Sequence, residues 1–138
     1  MKNQENPKPN PVAKFGEFVT NHFRDRALDY LSMVIDGTLR DQDSQELNRW
    51  VRSLPESGRL QLRRCVAAAT DHAMHDFLFA LEEANESDAG MSVVVDAENI
   101  ADLSDGLQGE PFGDSGWIAA FSDYDQAGNP RTQKDLSE

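Results

Sequence analysis

From Pro55 to Ala84 the chain reads PESGRLQLRRCVAAATDHAMHDFLFALEEA. Pro55 suits the first turn of a helix, where its missing N–H costs nothing, and an apolar period then runs through Leu62, Val66, Ala69, Ala73, Phe77, Ala80 and Ala84. This spacing predicts the longest helix of the chain, against which the rest must pack. Its stretch Phe77-Leu78-Phe79-Ala80-Leu81 is apolar all round, so more than one layer of partner structure has to cover it.

Upstream, the signals are also helical. Phe15, Phe18, Val19, His22 and Phe23 recur at three and four, which predicts a helix starting near Val12. A second set, Leu28, Leu31 and Ile35, falls on a different face, so this helix is either sandwiched or broken near Arg24-Asp25-Arg26. Gly37 supplies the C-cap, where a left-handed backbone is cheap. Asp43 and Glu46 read as a capping box for the next helix, whose stripe is Leu47, Trp50, Val51 and Leu54.

Downstream the grammar changes. Residues 85–90 are polar with turn chemistry, and Met91 to Val95 is β-branched and reads as a strand. Asp96 to Asn99 turns the chain, and Asn99 to Leu103 is loose enough to be a second strand. Residues 104–116 hold four glycines and a proline, hence a long loop. Trp117 to Phe121 is a third strand or a short helix. The fold expected is α+β: three or four N-terminal helices packed on a small C-terminal antiparallel sheet, either a hairpin or a three-stranded meander. It divides into a disordered tail at 1–11, a single α+β domain at 12–124 and a flexible tail at 125–138.

At 138 residues the chain fits one domain. Its formal charge of −12 is unevenly spread. Residues 1–64 hold eleven Lys/Arg against nine Asp/Glu; from there to Arg131 no Lys or Arg occurs, while fourteen carboxylates accumulate between Asp71 and Asp125. Nucleic-acid binding needs clustered Lys/Arg that half the chain lacks, so it is not expected. Met1 to Pro11 is neither a signal peptide nor a membrane span. No membrane association is expected, and the cytoplasm is the default compartment. The lone Cys65 forms no internal disulfide, in keeping with a reducing location, and reads as small core filler.

The run from His75 to Glu83 (HDFLFALEE), with Ser104 to Glu110 (SDGLQGE) and Gly116 to Ser122 (GWIAAFS) downstream, resembles a group of small, acidic, uncharacterised bacterial proteins. The resemblance spans roughly residues 50 to 124. It implies a fold and carries no activity, cofactor or catalytic residue.

Two constellations bear chemistry. His72, His75 and Asp76 lie near one another on the long helix, but a helical histidine pair is half a metal site, and His22 or a loop carboxylate has to complete it. Partly exposed, hydrogen-bonded histidines are the simpler reading, because no HExxH-type spacing is present. The second is the loop 104–116 with its neighbours Asp102 and Trp117, which sets Asp105, Glu110 and Asp114 among glycines. It does not meet the EF-hand pattern. Its simplest reading is structural, with Asp105-Gly106 as a turn, Gly109 and Gly113 at positive φ, and Leu107 and Phe112 tucked onto the core. A loop this long is costly to order unless it packs or binds, which also makes it a candidate partner-binding element. Ser104, Asp105 and a histidine make no credible triad without a nucleophile elbow.

The acidic half then has three readings: a solvated surface; a face complementary to a basic partner, as in inhibitor or immunity-type proteins; or a self-contact. In the last, basic helices bearing Arg49, Arg52, Arg59, Arg63 and Arg64 meet the acidic third of another copy in a homodimer. The expectation is a non-enzymatic binding protein for a basic partner, with no cofactor. The alternative is a metal-dependent enzyme using His72, His75, Asp76 and the 104–116 loop.

Overall fold

The computed structural model describes residues 10–132. Of the tails expected at 1–11 and 125–138, residues 1–9 and 133–138 lie outside the described residues. Helices dominate, and a two-residue-per-strand antiparallel hairpin is the only sheet among the described residues, so the three-stranded alternative is not realised. No helix among these residues is long and apolar enough to cross a membrane.

Helix α1, Pro11–Val19, begins at Asn10, whose Oδ1 accepts the Ala13 amide at 2.7 Å. It does not break at Arg24. A π-helical turn, Thr20–Arg24, leads directly into α2, Asp25–Asp36, with the Asp25 amide donating to the Thr20 carbonyl five residues back. The buried residues Val12, Gly16, Thr20, Arg24 and Leu28 follow at steps of four. In an ideal α-helix each such step drifts by about 40°. The wider π turn takes up an extra residue and keeps the row facing inward. This also accounts for the two apolar faces of the sequence. Of the stripe Phe15, Phe18, Val19, His22 and Phe23, only Phe15 and Val19 pack on the main core, half-buried; Phe18 is 61% exposed and Phe23 42%.

Gly37, at φ 72°, closes α2 as expected. Asn48 of α3, Gln42–Ser53, donates to the Val34 and Ile35 carbonyls at that end. The cap of α3 is Asp41, accepting from the Ser44 amide at 3.0 Å, two residues before the expected one. Only Val51 of its stripe is fully buried.

Pro55 is the cap of α4, Glu56–Glu86, the longest helix. Its buried seam is Ala67, Met74 and Leu78, rotated by about one residue, or 100°, from the expected stripe. Phe77 and Phe79 stay 53% and 45% exposed, so the all-round cover expected for 77–81 is not built.

Strands β1, Val94–Val95, and β2, Glu98–Asn99, pair through a turn at Asp96 and Ala97, both at positive φ. That is the hand a two-residue hairpin requires, and it is unusual for alanine. Asn99 then caps α5, Ile100–Leu103, where a longer second strand was expected. The stretch Trp117–Phe121 is a helix, α6.

The main core joins Val12, Met74, Leu78, Ile100, Leu107, Trp117 and Ile118; a smaller cluster holds Leu28, Ala67 and Tyr124. The chain does not loosen at 125. Tyr124 bridges to Pro130, Gly128 passes so close to the Arg63 carbonyl that a Cβ there would stand 2.6 Å from it, and the Arg131 guanidinium donates to the Ile118, Ala119 and Tyr124 carbonyls.

Candidate functional site

A cleft of about 490 Å³ opens where the start of α1, the hairpin, the end of α5, the 104–116 loop and α6 meet. It is lined by the apolar Trp117, Phe121 and Leu103 and by two carboxylates, Glu98 and Glu110. Glu110 Oε1 accepts the Ser104 hydroxyl at 2.7 Å, which fixes the loop's entry. The Glu110 and Pro111 carbonyls accept the Trp117 and Ile118 amides and start α6. Lys14, on the same helix as the cleft's rim, is paired with Asp96 at 2.6 Å.

Of the loop and partner-binding candidates, Glu110 and Trp117 meet at this cleft; Asp102, Asp105 and Asp114 do not line it. Trp117 is a core residue, 4% exposed, packed edge-on to Phe15 with ring centroids 5.9 Å apart. Asp105 lies in a separate shallow cleft with Gly106, Gly109 and Gly116, Asp102 accepts from Asn85, and Asp114 is exposed in the turn before α6. The loop is packed against α4: Leu107 is buried and its amide donates to Glu82. Gly113 has positive φ as expected, Gly109 does not, and Phe112 is 38% exposed.

His72 and His75 share an apolar cleft of about 310 Å³ with Asp71, Ala68 and Phe112. Their rings stack at 6.4 Å and His75 Nδ1 lies 3.1 Å from Asp76. The loop reaches this edge through Phe112, whose ring is 6.1 Å from His75, and not through a carboxylate. Among the described residues no three His, Cys, Asp or Glu side chains converge to hold a metal ion.

A dense polar cluster without a sequence motif surrounds Arg24. Arg24, fully buried, donates from Nε to Asp71 Oδ1 at 2.7 Å and from Nη2 to Asp71 Oδ2 at 3.4 Å. Nη1 reaches Ser122 Oγ at 2.8 Å and the Tyr124 carbonyl at 3.2 Å; Nη2 also reaches the Asp125 carbonyl at 2.9 Å. These five contacts match the five N–H groups of a guanidinium. Next to it Asp25, 2% exposed, accepts from the Ser122 hydroxyl at 2.5 Å and the Asp123 amide at 3.1 Å. The Asn21 amide, with its nitrogen turned toward them, donates to Asp25 and to the Phe121 carbonyl. One local signal pointed here: the adjacent charges Arg24-Asp25 at the phase change of the first helix. The acceptors lie 47 residues away, at Asp71, and 98 to 101 away, at residues 122–125, and leave no local signature.

Burial raises the Asp25 pKa above the ordinary aspartate value of 3.8, against the opposing hydrogen bonds from Ser122 and Asp123. A raised folded-state value means that ionised Asp25 opposes folding at neutral pH and that this cost fades as pH falls toward 3.8. Compared with Asp25→Asn, which does not titrate, the wild type is therefore expected to gain stability between about pH 7 and pH 4. Urea midpoints of both proteins at the two pH values measure it. A relative loss on acidification would show the carboxylate to be held ionised by its partners.

No family model, no curated protein and no solved structure matches this chain.

Proposed function

We propose that this protein is a non-enzymatic binding module for a basic protein partner, which it takes at the cleft between α1, the hairpin and the 104–116 loop. The observation that carries this reading is that Glu98 and Glu110 line one cleft together with Trp117 and Phe121. A lysine or arginine side chain has two needs on leaving water: a carboxylate for its charge and an aromatic or aliphatic surface for its stem. The cleft offers both. Apart from the start of α1, it is lined by the part of the chain that holds no Lys or Arg between Arg64 and Arg131, and Lys14 beside it is already paired with Asp96. A surrounding negative field steers a cationic partner toward it.

The test is a titration with an arginine-rich hexapeptide, followed by Trp117 fluorescence in a Trp50→Phe background; Trp50 is 51% exposed on α3. The expected result is a saturable change that weakens about tenfold or more in Glu98→Gln/Glu110→Gln, since each lost charged contact is worth roughly 1 kcal/mol or more. The control, Asp36→Asn/Asp43→Asn, removes equal charge far along the chain. Equal weakening in both would reduce the effect to net charge and overturn the site.

A further inference from the structure

We infer that the Asp105–Gly106 peptide is a site of spontaneous modification, where the aspartate closes on the following nitrogen to a succinimide and reopens as isoaspartate. An Asp-Gly pair is open to this closure because glycine has no Cβ to crowd the attacking nitrogen. The pair occurs twice in the chain, at Asp36-Gly37 and at Asp105-Gly106, and both aspartates are exposed. The sequence alone therefore holds two equal sites, and the structure separates them.

Ring closure turns the peptide plane until the next nitrogen eclipses the aspartate Cβ, a setting outside both the helical and the extended regions. Asp36 is the last residue of α2, and the Gly37 amide after it donates to the Met33 and Val34 carbonyls. Turning that plane breaks both bonds at the helix end, where Asn48 also docks. Asp105 has no such restraint. It lies in a bend, and among the described residues its N–H and C=O make no hydrogen bond and its carboxylate has no partner. The Gly106 amide donates to the hydroxyl of neighbouring Ser104 at 3.1 Å, which moves with the same bend. Both residues line the shallow cleft shared with Gly109 and Gly116, so water reaches the peptide.

In the step, the Gly106 nitrogen bonds to Asp105 Cγ, and the carboxyl OH and the amide hydrogen leave together as water. A second water reopens the ring at either carbonyl, and nothing is oxidised or reduced. Opening at the main-chain carbonyl routes the chain through Cβ and Cγ and adds one methylene to the backbone. That methylene falls between two anchors. Ser104 donates to Glu110, and buried Leu107 donates its amide to Glu82. A longer chain between them does not keep both in register, so the product displaces Glu110 from the cleft. This consequence for binding rests on the function proposed above; the chemistry does not.

The full chain is aged for several weeks at mildly acidic pH, digested, and its isoaspartate located by peptide mapping with isoaspartyl methyltransferase labelling. Position 105 is expected to carry about tenfold more than position 36, the rate equivalent of the hydrogen bonds broken at Gly37. In urea, where the helix is gone, the two positions are expected to react within about twofold of each other. Equal labelling of 36 and 105 in the folded chain, or none at 105, would overturn the site. The consequence is read with the arginine-rich hexapeptide. The share of aged chains that bind it is expected to fall by the share modified, and not to fall in Asp105→Glu, which closes no five-membered ring. Undiminished binding by modified chains would overturn the link to the cleft. No binding by the fresh chain would overturn the cleft itself, with the labelling ratio still deciding the modification.

Discussion

Arg24→Met is expected to lower the stability of this protein by about 3–5 kcal/mol, the usual cost of removing one partner from a buried ion pair. Methionine fills much of the same volume, so the loss is not mainly one of packing. It comes from what the guanidinium leaves behind. Asp71, with a side chain 18% exposed, keeps a charge without its counterpart, and the Tyr124 and Asp125 carbonyls each lose one of two donors, keeping the Arg131 guanidinium and the Gly128 amide respectively. Single small domains have only 5–15 kcal/mol to lose, so the variant is expected to unfold near ambient temperature or at very low urea. Adding Asp71→Leu removes the stranded charge and is expected to recover part of the loss, but not the part due to the two carbonyls. Urea midpoints of the single and double variants measure the division. A midpoint within about 1 kcal/mol of wild type for Arg24→Met would mean that water replaces the guanidinium at little cost.

Trp117→Ala is expected to cost a similar 3–5 kcal/mol, as large aromatic truncations in cores do. The residue is 4% exposed and lies between Phe15, the close backbone of Gly16 and the rest of the main core. The role of Gly16 gives this prediction a second arm. In an exposed helix Gly→Ala stabilises by up to about 1 kcal/mol. Here a Cβ on Gly16 would stand 2.4 Å from the indole ring, so Gly16→Ala is expected to destabilise by about 1–3 kcal/mol instead. In the Trp117→Ala background the sign is expected to reverse, because the clashing ring is gone. Thermal unfolding of the four proteins completes the cycle, and additive effects would show that the two residues do not meet.

The aromatic cleft, the Arg24 clasp and the outer α4 face were legible in the sequence to different degrees. Glu110 and Trp117 were both singled out because a glycine-rich loop leads into an apolar run, and they do share a cleft. Glu98 was not, since it sits in a hairpin whose second strand was expected one residue later, and only the turn at Asp96-Ala97 brings it to the rim. His72 and His75 stand out because they lie three apart on the long helix beside Asp76. Their neighbour across the cleft is a phenylalanine, which a ligand search by residue type does not foresee.

What the sequence by itself determined was local: the long α4 with Pro55 at its start, the stop of α2 at Gly37, the helix-to-hairpin order and the lengthwise division of charge. These follow from propensity, capping and composition, which act over a few residues. Which face of each helix is buried was decided only by tertiary structure. An alanine-rich helix presents nearly equal apolar faces, so the choice falls to shape, here the fit of Trp117 against Gly16 and of Leu107 against α4. The π turn and the burial of Arg24 belong to the same class. A buried guanidinium is stable only where carboxylate, hydroxyl and carbonyl acceptors surround it, and those come from Asp71 and residues 122–125, brought to it by the folded chain alone.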